Sequence, residues 1–507
     1  MREGAGTIVV GAGAAGAVIA ARVTERSDRD VLLLEAGPDY PDAAALPGDL
    51  RDGTRNSMRA HDWGWTHRPN AKQLSFPLPR GRVVGGSSAV NTCIGLRGVP
   101  SDYDEWAARG LPDWGWEQCL PAFVRLENDL DRRAPYHGQD GPLPLRRHTP
   151  DELVPWQAAF LDGAAAVGMP RCDDTNAPDG TGYGPHAMNK LQGERQSAAR
   201  CWLTPAVRAR PNLRIRPHTL VRRVVFEGTR AVGVEVVEAD GTTTVLHAKR
   251  VVLCAGAIAT PGILLRSGIG PAAELARLGV TRVADVPAVG ARLLDHPGAA
   301  FFLWPKRGVC DVRHPLIQTV LRWQSATGTH RNDLQLQAGS AVLLPRVHIP
   351  WVSVMCQVGK PVGHGLLRFP TADVRAKPEI RSRLLDHPTD RAKALEALAV
   401  GLAMTDSPAM RDLARPVWPP PAVLRTERFS RWIWAFCDSG YHPCGTVPMG
   451  SDDDADAATD GRGRVRGTDG LLVADASLMP TIPTANTHLP TLMIGERFGA
   501  WLREGDP

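Results

Sequence analysis

Four short runs of apolar residues predict buried β-strands, and each is followed within two residues by a glycine or an acidic residue. The runs are Thr7–Val10, Val31–Leu34, Val251–Cys254 and Leu471–Ala474. Continuous apolar runs of this length are typical of strands covered on both faces. Helical rather than alternating patterns follow the first and third runs, and Pro261 is expected near the start of the second of these helices. The order of strand, turn and helix indicates an α/β protein. Segments 221–228 and 231–238 are expected to form a hairpin around a glycine-containing turn.

The first strand leads into a glycine-rich turn that is typical of dinucleotide-binding folds. Gly11, Gly13 and Gly16 occupy the spacing G-x-G-x-x-G, and Glu35 lies 19 residues after the last of them, directly behind the second strand. The glycines allow a tight turn, a close approach of backbone to a pyrophosphate, and close packing of helix on strand, while the acid can bind a ribose. The motif alone does not separate NAD from FAD.

Composition limits the classes of protein that remain. The chain has 507 residues, of which 43% are hydrophobic and 22% charged, which excludes collagen, a disordered tail and a disulfide scaffold. At roughly 150 residues per domain, two or three core-forming units are expected. No stretch approaches the ~18 strongly apolar residues of a membrane span. A signal peptide is not recognisable before the first strand, so a cytoplasmic location is expected.

The charge pattern argues against nucleic-acid partners and against a metal site. The formal net charge is +5, but only seven of the 59 basic residues are Lys and the Arg residues are scattered among acids. No basic cluster with interleaved aromatics is present. The nine Cys contain no C-x-x-C pair, and Asp452–Asp456 lacks the glycine and glutamate spacing of a calcium loop. We therefore predict no metal.

Several separated segments resemble the glucose–methanol–choline (GMC) flavoprotein oxidoreductases. The segments are Leu34–Gly37, G-R-V-V-G-G-S-S-A-V-N at 81–91, G-A-I-A-T-P-G-I-L-L-R-S-G-I-G at 256–270, Tyr441–Thr446 and Asp475–Thr491. The similarity extends from residue 7 to about residue 499 and is weakest in the middle. It implies an α/β fold with a Rossmann-like FAD-binding domain, of the GMC/p-hydroxybenzoate-hydroxylase-like type, and an α+β substrate domain on an antiparallel sheet.

The resemblance also implies how the domains and the cofactor site are distributed along the chain. The FAD-binding domain is expected at 1–155, 195–295 and 438–507, and the substrate domain with its connecting segments at 156–194 and 296–437. The residues that match the family's cofactor contacts are Gly11, Gly13, Ala14, Ala15, Gly16, Glu35, Ala36, Val84, Gly86, Ser87, Asn91, Val221, Asp475, Ala476 and Thr491. Some members attach FAD through a His that here is replaced by Val90, so FAD is expected to bind non-covalently.

Two histidines are the candidate catalytic residues. Oxidation of an alcohol by hydride transfer requires a base for the hydroxyl proton, and His is suited to this near neutral pH. By resemblance, His442 matches the family's catalytic His, and His488, which lies 46 residues later, matches a second position that the family fills with His or Asn. We predict that His442 is the base and that His488 binds the same hydroxyl.

The expected activity is FAD-dependent oxidation of a primary or secondary alcohol, with oxygen or another compound as electron acceptor. If residues 432–434 form a strand, Trp432 and Trp434 share a face and could wall the pocket, which would suit an apolar or aromatic alcohol better than a sugar. Hydroxynitrile lyase and light-driven fatty-acid photodecarboxylase activities occur on the same fold and stay open as alternatives. A non-catalytic flavin-binding protein would require a disrupted His pair, and both histidines are present.

Overall fold

A computed structural model describes residues 5–238, 240–343 and 348–505. The strands are β1 (Ala5–Val10), β2 (Val31–Leu34), β3 (Thr66–Arg68), β4 (Phe76–Pro77), β5 (Glu127–Asp129), β6 (Leu143–Leu145), β7 (Gly182–Pro185), β8 (Lys190–Leu191), β9 (Glu194–Arg195), β10 (Leu213–Arg216), β11 (Leu220–Glu227), β12 (Arg230–Val237), β13 (Thr243–Leu253), β14 (Ile269–Gly270), β15 (Ala284–Asp285), β16 (Pro297–Pro305), β17 (Thr319–Trp323), β18 (Leu334–Gly339), β19 (Val342–Leu343), β20 (His348–Ile349), β21 (Val352–Val358), β22 (Leu366–Arg368), β23 (Glu379–Arg381), β24 (Ala414–Trp418), β25 (Asp438–Ser439) and β26 (Leu471–Val473).

The helices alternate with the early strands and cluster again toward the end of the chain. They are α1 (Ala14–Val23), α2 (Gly48–Arg51), α3 (Pro100–Ala108), α4 (Trp116–Leu126), α5 (Pro155–Ala166), α6 (Ala198–Trp202), α7 (Pro205–Arg208), α8 (Gly256–Arg266), α9 (Ala272–Leu278), α10 (Pro388–Thr405), α11 (Pro408–Arg411), α12 (Pro421–Leu424), α13 (Arg428–Ala435) and α14 (His488–Glu504). Across the described ranges, none of these helices combines the length and apolarity needed to cross a bilayer.

The first large sheet contains the four predicted apolar strands. Strands β10, β2, β1, β13 and β26 run parallel, while β13 continues into an antiparallel pairing with β12, which in turn pairs with β11. The predicted α/β class and the predicted hairpin of β11 and β12 are therefore confirmed. Pro261 is the sixth residue of α8 rather than a residue of its first turn, so that detail of the prediction is wrong.

The second large sheet is antiparallel throughout, as predicted for the substrate domain. Its order is β24-β16-β21-β18-β17-β7, and α5 and α10 pack on one face around an apolar core that includes Phe160 and Phe301. Two segments differ from the expected domain boundaries. Strand β25, expected in the FAD-binding domain, pairs with β16 and so belongs to this sheet. In the expected substrate domain, β22 pairs with β23 and β23 pairs with β3, and the two strands contribute Leu367 and Ile380 to the core of the first sheet.

A buried network of ionised side chains holds α4, β5 and β6 to the neighbouring loops. Glu127, Asp129 and His137 lie close enough together to share a metal ion. However, Arg97 pairs with Glu127, and Arg147 Nη1 lies 2.9 Å from Asp129 Oδ1. The two carboxylates are thus already neutralised by arginines, and the imidazole of His137 bonds Asp129 at 3.0 Å. The arrangement is that of a structural ion network.

The close packing of α1 on β1 predicts that Gly16 cannot be substituted. A Cβ atom at Gly16 would lie 1.9 Å from the carbonyl oxygen of Gly11, a backbone atom that cannot rotate away. We expect Gly16→Ala to lower the free energy of unfolding by more than about 3 kcal/mol in denaturant titrations. Gly48→Ala is the matched control, because nothing lies within 4 Å of its Cβ position. Equal effects of the two substitutions would contradict the packing argument.

The ion network predicts a stability change in alkaline solution. Burial alone would lower the pKa of His137, but hydrogen bonds to the carboxylates of Asp129, Asp174 and Glu127 outweigh it and raise the pKa from 6.5 to about 10. The folded protein therefore binds more protons than the unfolded chain between these values, and the free energy of unfolding should fall as pH rises from 6.5 to 10. This slope should be smaller in His137→Gln and unchanged in a variant of the exposed His247, His247→Gln, by denaturation at several pH values.

Candidate active site

A cavity of about 940 Å³ opens where the parallel strands of the first sheet end. The carboxyl ends of β1, β2, β13 and β26 lie at one edge of that sheet, where α/β proteins bind their ligands. The facing wall comes from β16, β18 and β21 of the second sheet. The volume is at the upper end of the range for ligand and cofactor sites.

The glycine turn after β1 forms one wall of this cavity. Gly11 has φ +100°, a left-handed conformation that favours glycine, and the turn delivers the chain to the start of α1 at Ala14. Gly13, Ala14 and Ala15 line the cavity, so the first turn of α1 offers it backbone N–H groups and the positive end of the helix dipole. This is a site for a phosphate or another anion.

Glu35 lies beside this turn at the end of β2. Its carboxylate accepts the N–H groups of Ala12 at 3.1 Å and Gly37 at 2.9 Å. Burial raises the pKa of Glu35 to about 7, although the two N–H groups act in the opposite direction. The carboxyl group therefore ties the glycine turn to the second strand at the cavity edge.

Nearly all residues predicted to contact the cofactor line this single cavity. These are Gly11, Gly13, Ala14, Ala15, Glu35, Ala36, Gly86, Ser87, Asn91, Val221, Asp475, Ala476 and Thr491. Gly16 and Val84 do not line it. Gly16 is packed against the glycine turn, and Val84 is buried in the core of the first sheet, where its N–H donates to the carbonyl of Pro38 at 2.9 Å.

The carboxylate of Asp295 holds the loop that carries His442, residues 439–442. Asp295 Oδ1 accepts the backbone N–H groups of His296 at 2.8 Å and His442 at 2.9 Å, and Oδ2 accepts the Ser439 hydroxyl at 2.5 Å. Burial raises the pKa of Asp295, and these hydrogen bonds oppose the rise. The Asp295 carboxyl group thus positions Ser439 and His442, at the two ends of the loop, and also a second histidine, His296.

Arg80 fixes the same loop from the cavity side. Its Nη2 donates to the carbonyl oxygen of Tyr441 at 2.7 Å, and Tyr441 itself has φ +65° and lines the cavity. A tyrosine is rarely left-handed, so this conformation has to be held by its neighbours. Tyr441 is therefore strained and is held in place by Arg80. This fixes the direction of the His442 imidazole.

A second histidine, His296, contacts His442 directly. His296 Nε2 lies 3.0 Å from the carbonyl oxygen of Gly359 and 2.9 Å from that of Pro483, so it must carry a hydrogen. Burial lowers the pKa of His296 to about 4, which leaves it neutral with a lone pair on Nδ1. That Nδ1 accepts the amide of Gln357 at 2.6 Å and lies 3.0 Å from His442 Nδ1.

These contacts bear on the tautomer of His442. Its Nδ1 lies 3.0 Å from His296 Nδ1 and also 3.0 Å from the amide Nε2 of Gln357. Because two facing lone pairs would repel each other, we infer that His442 Nδ1 carries a hydrogen and donates it to His296 Nδ1. His442 Nε2 is then the acceptor, and Asn486 Nδ2 donates to it at 2.9 Å. Burial, followed by the neighbouring His296 and Arg80, lowers the pKa of His442 well below its ordinary value. The site thus holds a neutral imidazole whose basic nitrogen accepts from Asn486.

Asn486 and His488 both line the cavity together with His442, and the hydroxyl-binding role of His488 stays a prediction. His488 is the first residue of α14 and also lines the cavity, but its Nε2 is buried without a hydrogen-bond partner, and burial lowers its pKa to about 4. The hydrogen bond to His442 comes from Asn486, two residues earlier, whose Oδ1 is likewise buried without a partner. The two segments that resemble the GMC family, Tyr441–Thr446 and Asp475–Thr491, are therefore joined by the hydrogen bond between Asn486 and His442.

Aromatic side chains cover the cavity wall on the side of the second sheet. Residues 428–435 form a helix, α13, so the condition under which Trp432 and Trp434 would share a face, a strand at 432–434, is not met. Trp432 lines the cavity, whereas the indole of Trp434 points away and donates to Asp386 at 3.0 Å. Phe436 packs on Trp432 with ring centroids 5.1 Å apart and on Trp418 at 5.6 Å. These three rings form an apolar wall.

Sequence reasoning missed most of the groups that surround His442. Asn486 lies inside a segment that matched the family, and its residue type is one of the two expected at the second position. Asp295 and His296 lie just outside any recognised motif, and the contribution of Gln357 depends on the pairing of β21 with β16 and β18. No local pattern marks a side chain whose role depends on strands that are distant in the chain.

The chain is similar to known proteins over nearly its whole length. Residues 5–298 and 361–495 match the N-terminal and C-terminal family models described as GMC oxidoreductase. A 5-(hydroxymethyl)furfural oxidase from a Methylovorus species is 34% identical over 97% of both chains, and an oxygen-dependent choline dehydrogenase from Escherichia coli is 32% identical over 98% of this chain and 95% of the relative.

A solved structure is also similar to this chain over nearly its whole length. The crystal structure of pyridoxine 4-oxidase from Mesorbium loti superposes with a TM-score of 0.91 at 30% identity, covering 99% of this chain and 100% of that one. The family models together span most of the chain, and the relatives extend over nearly its whole length. The protein is a member of the GMC oxidoreductase family.

Proposed function

We propose that the protein oxidises an alcohol to an aldehyde or ketone, with His442 as the base and Asn486 as the second group that binds the hydroxyl. The observation that carries the proposal is the pair formed by the acceptor Nε2 of His442 and the amide Nδ2 of Asn486, which lie 2.9 Å apart at the cavity. An alcohol oxygen that replaces this hydrogen bond and contacts both nitrogens would donate its proton to the imidazole and accept a hydrogen bond from the amide.

The residues of the cavity fit FAD, the cofactor of GMC oxidoreductases. The first turn of α1 offers N–H groups to a pyrophosphate, and the backbones of Gly13 and Gly86 approach so closely that a Cβ at Gly86 would lie 2.7 Å from Gly13 Cα. The wall here is formed by backbone without side chains, so a flat ring system could lie close against it. Val90 has no nucleophilic atom, which supports non-covalent binding. When bound, FAD would supply the acceptor for the hydride of the alcohol carbon.

The protein's own groups handle the proton. His442 Nε2 takes the hydroxyl proton while Nδ1–H stays hydrogen-bonded to His296, so the ring keeps its orientation as it becomes charged. His296 is itself held by the carbonyls of Gly359 and Pro483. Arg80 opposes the charged form of His442 and favours a developing negative charge on the alcohol oxygen. The site is therefore organised for transfer of a proton from a weak acid to a neutral base.

The aromatic wall supports an alcohol with an apolar or aromatic body. Phe302 and Trp432 line the cavity together with small residues of β16, Gly298 and Ala300, which leave room for a ring. The names of two relatives, a furfural oxidase and an oxygen-dependent dehydrogenase, support oxygen as the electron acceptor. An observation that specifically favours lyase chemistry or photochemistry is not found among the described residues.

The proposed reaction is tested by anaerobic mixing of the FAD-loaded protein with aryl methanols. Loss of the visible flavin absorbance in the dark, with formation of one aldehyde per flavin, supports alcohol oxidation. A lyase would leave the flavin oxidised while a cyanohydrin is cleaved, and a photoenzyme would react only in light. Absence of bleaching with every alcohol tested would overturn the proposal.

Substitutions at three positions identify the pair of residues that binds the hydroxyl. We expect His442→Ala to slow flavin reduction by at least about 10²-fold, because a general base is lost. Asn486→Ala should slow it by about 10-fold or more, since one hydrogen bond to the reacting oxygen disappears. His488→Ala, measured by the same stopped-flow experiment, is the matched comparison. A larger loss of rate in His488→Ala than in Asn486→Ala would instead identify His488 as the second residue that binds the hydroxyl.

The low pKa of His442 predicts that flavin reduction persists in mildly acidic solution. An ordinary His would be half protonated near pH 6.5, whereas burial, His296 and Arg80 keep His442 neutral below that value. The rate of flavin reduction should therefore stay constant from pH 8 down to about pH 6. In Arg80→Met the acid limb should move to higher pH, because a nearby positive charge is removed. An acid limb that moves to lower pH would contradict the assigned electrostatics.

A further inference from the structure

The ring of His296 is held by two carbonyl groups that belong to distant parts of the chain. Its Nε2 donates to the carbonyl of Gly359, which follows β21 of the second sheet, and to that of Pro483 in segment 481–486, which leads into α14. A carbonyl oxygen accepts a hydrogen but cannot donate one, so both groups favour the tautomer with hydrogen on Nε2. The contact of His296 with His442 therefore depends on the places of these two carbonyls.

A lysine side chain connects the two segments that carry these carbonyl groups. Lys360 directly follows Gly359, and its Nζ donates at 2.9 Å to the carbonyl of Ile482, which directly precedes Pro483. The lysine is buried, so little water competes for this hydrogen bond. Lys360 therefore joins the same two segments that His296 contacts, one residue away from each contact.

Two carboxylates of α3 hold the ammonium group of Lys360 in this position. Its Nζ lies 2.7 Å from Glu105 Oε2 and 3.3 Å from Asp102 Oδ1. Burial alone would raise the pKa of Glu105, but the charge of Lys360 and its hydrogen bond outweigh burial and lower the pKa. Ion pairs that are largely removed from solvent are screened less by salt than surface pairs. The ammonium group is thus fixed between α3 and segment 481–486.

The same helix also contacts segment 481–486 directly. Asp102 and Glu105 are three residues apart on α3 and so share one of its faces. Asp102 Oδ2 accepts the backbone N–H of Thr484 at 2.9 Å and its hydroxyl at 2.8 Å. Glu105 Oε2 accepts the hydroxyl of Thr481 at 3.0 Å. The segment is therefore attached to α3 at both threonines, and the lysine adds a contact from the second sheet.

The charge of Lys360 also acts on His296. Burial is the main reason for the low pKa of His296, the charge of Asp102 opposes the lowering, and the charge of Lys360 adds to it. Without the ammonium group, the nearby carboxylate would favour a charged His296 ring. A charged ring has no lone pair on Nδ1 to accept from His442. The lysine thus favours the neutral form of His296 that the contact with His442 requires.

We propose that Lys360 is a positioning residue that fixes the orientation of the His296–His442 pair by joining the second sheet to segment 481–486. The proposal rests on the alcohol oxidation proposed above, in which His442 is the base, and adds a residue that acts on the reaction only through its neighbours. Asn486 lies in the same segment. One buried side chain therefore governs the places of both residues that bond the base.

The proposal is tested first by the rate of flavin reduction in variants of Lys360. Lys360→Met keeps a side chain of similar length but removes its donors and its charge. We expect it to lower the limiting rate of flavin reduction by aryl methanols about 10-fold or more, because the base is no longer held in one orientation. Lys360→Arg keeps the charge and the donors and should restore most of the rate.

Lys393→Met is the matched control for these variants. Lys393 is also buried and pairs with a carboxylate, that of Asp333, at 2.7 Å. Its Nζ reaches the backbone carbonyl of Lys360 but, within the described ranges, forms no hydrogen bond to segment 481–486. A native rate in Lys360→Met, or equal losses of rate in Lys360→Met and Lys393→Met, would overturn the proposal.

A spectroscopic measurement separates failure of this proposal from failure of the proposed reaction. In the FAD-loaded protein labelled with ¹⁵N at histidine, the hydrogen-bonded groups His296 Nε2–H and His442 Nδ1–H should each give an imidazole N–H signal. The signals are assigned by their absence from His296→Gln and His442→Gln. Lys360→Met should weaken or abolish both signals and Lys360→Arg should retain them, whether or not any alcohol reduces the flavin.

Signals that are unchanged in Lys360→Met would overturn the proposal even if aryl methanols are oxidised. If Lys360→Met does not fold, Lys360→Gln takes its place in both experiments. Its side chain is uncharged and one bond shorter than that of lysine, so the same losses of rate and of signal are expected.

Discussion

The carboxylate of Asp295 is the contact on which the geometry around His442 depends. It receives the backbone N–H groups of two histidines and the hydroxyl of Ser439, and it is buried where the two large sheets meet. A buried carboxylate with several donors is strongly held, because each donor that it lost would leave a polar group without water. The spacing between His296 and His442, and with it the tautomer of the base, follows from this one group.

The two sheets contribute different properties to the cavity. The parallel sheet ends in turns that expose backbone N–H groups, which suit an anionic cofactor. The antiparallel sheet places side chains of alternate residues on its inner face, and the row Gly298, Gln357 and Gln335 is followed by Ala300, Met355 and Gln337. Two amide groups in the row nearest His442 thus give way to one amide and two apolar side chains in the next row. A substrate that is polar at one end and apolar at the other fits such a gradient.

The parts of the protein that could be predicted from sequence are those encoded by local patterns. The glycine turn, the apolar strands and the hairpin of β11 and β12 each depend on neighbouring residues, and the structure confirms them. The hydrogen bond from Asn486 to His442 was not predicted, because spacing along a segment does not reveal which side chain a helix start turns inward. Whether Trp432 and Trp434 lie on a strand was left open, since an alternation of two aromatic residues is too short to distinguish a strand from the helix that forms there.

The cavity is closed by parts of the chain that are far apart in sequence. Strand β1 pairs with β13, which pairs with β26, and α14 packs on α1 through Gly495 and Gly499. Ribosomes make β26 and α14 after the other strands of this sheet, so the nascent sheet has to wait with an exposed edge. A premature stop codon shortly before residue 471 would remove the last parallel strand, Asp475, Asn486 and the whole of α14 together. The cavity is therefore complete only after β26 and the first turn of α14 have been synthesised.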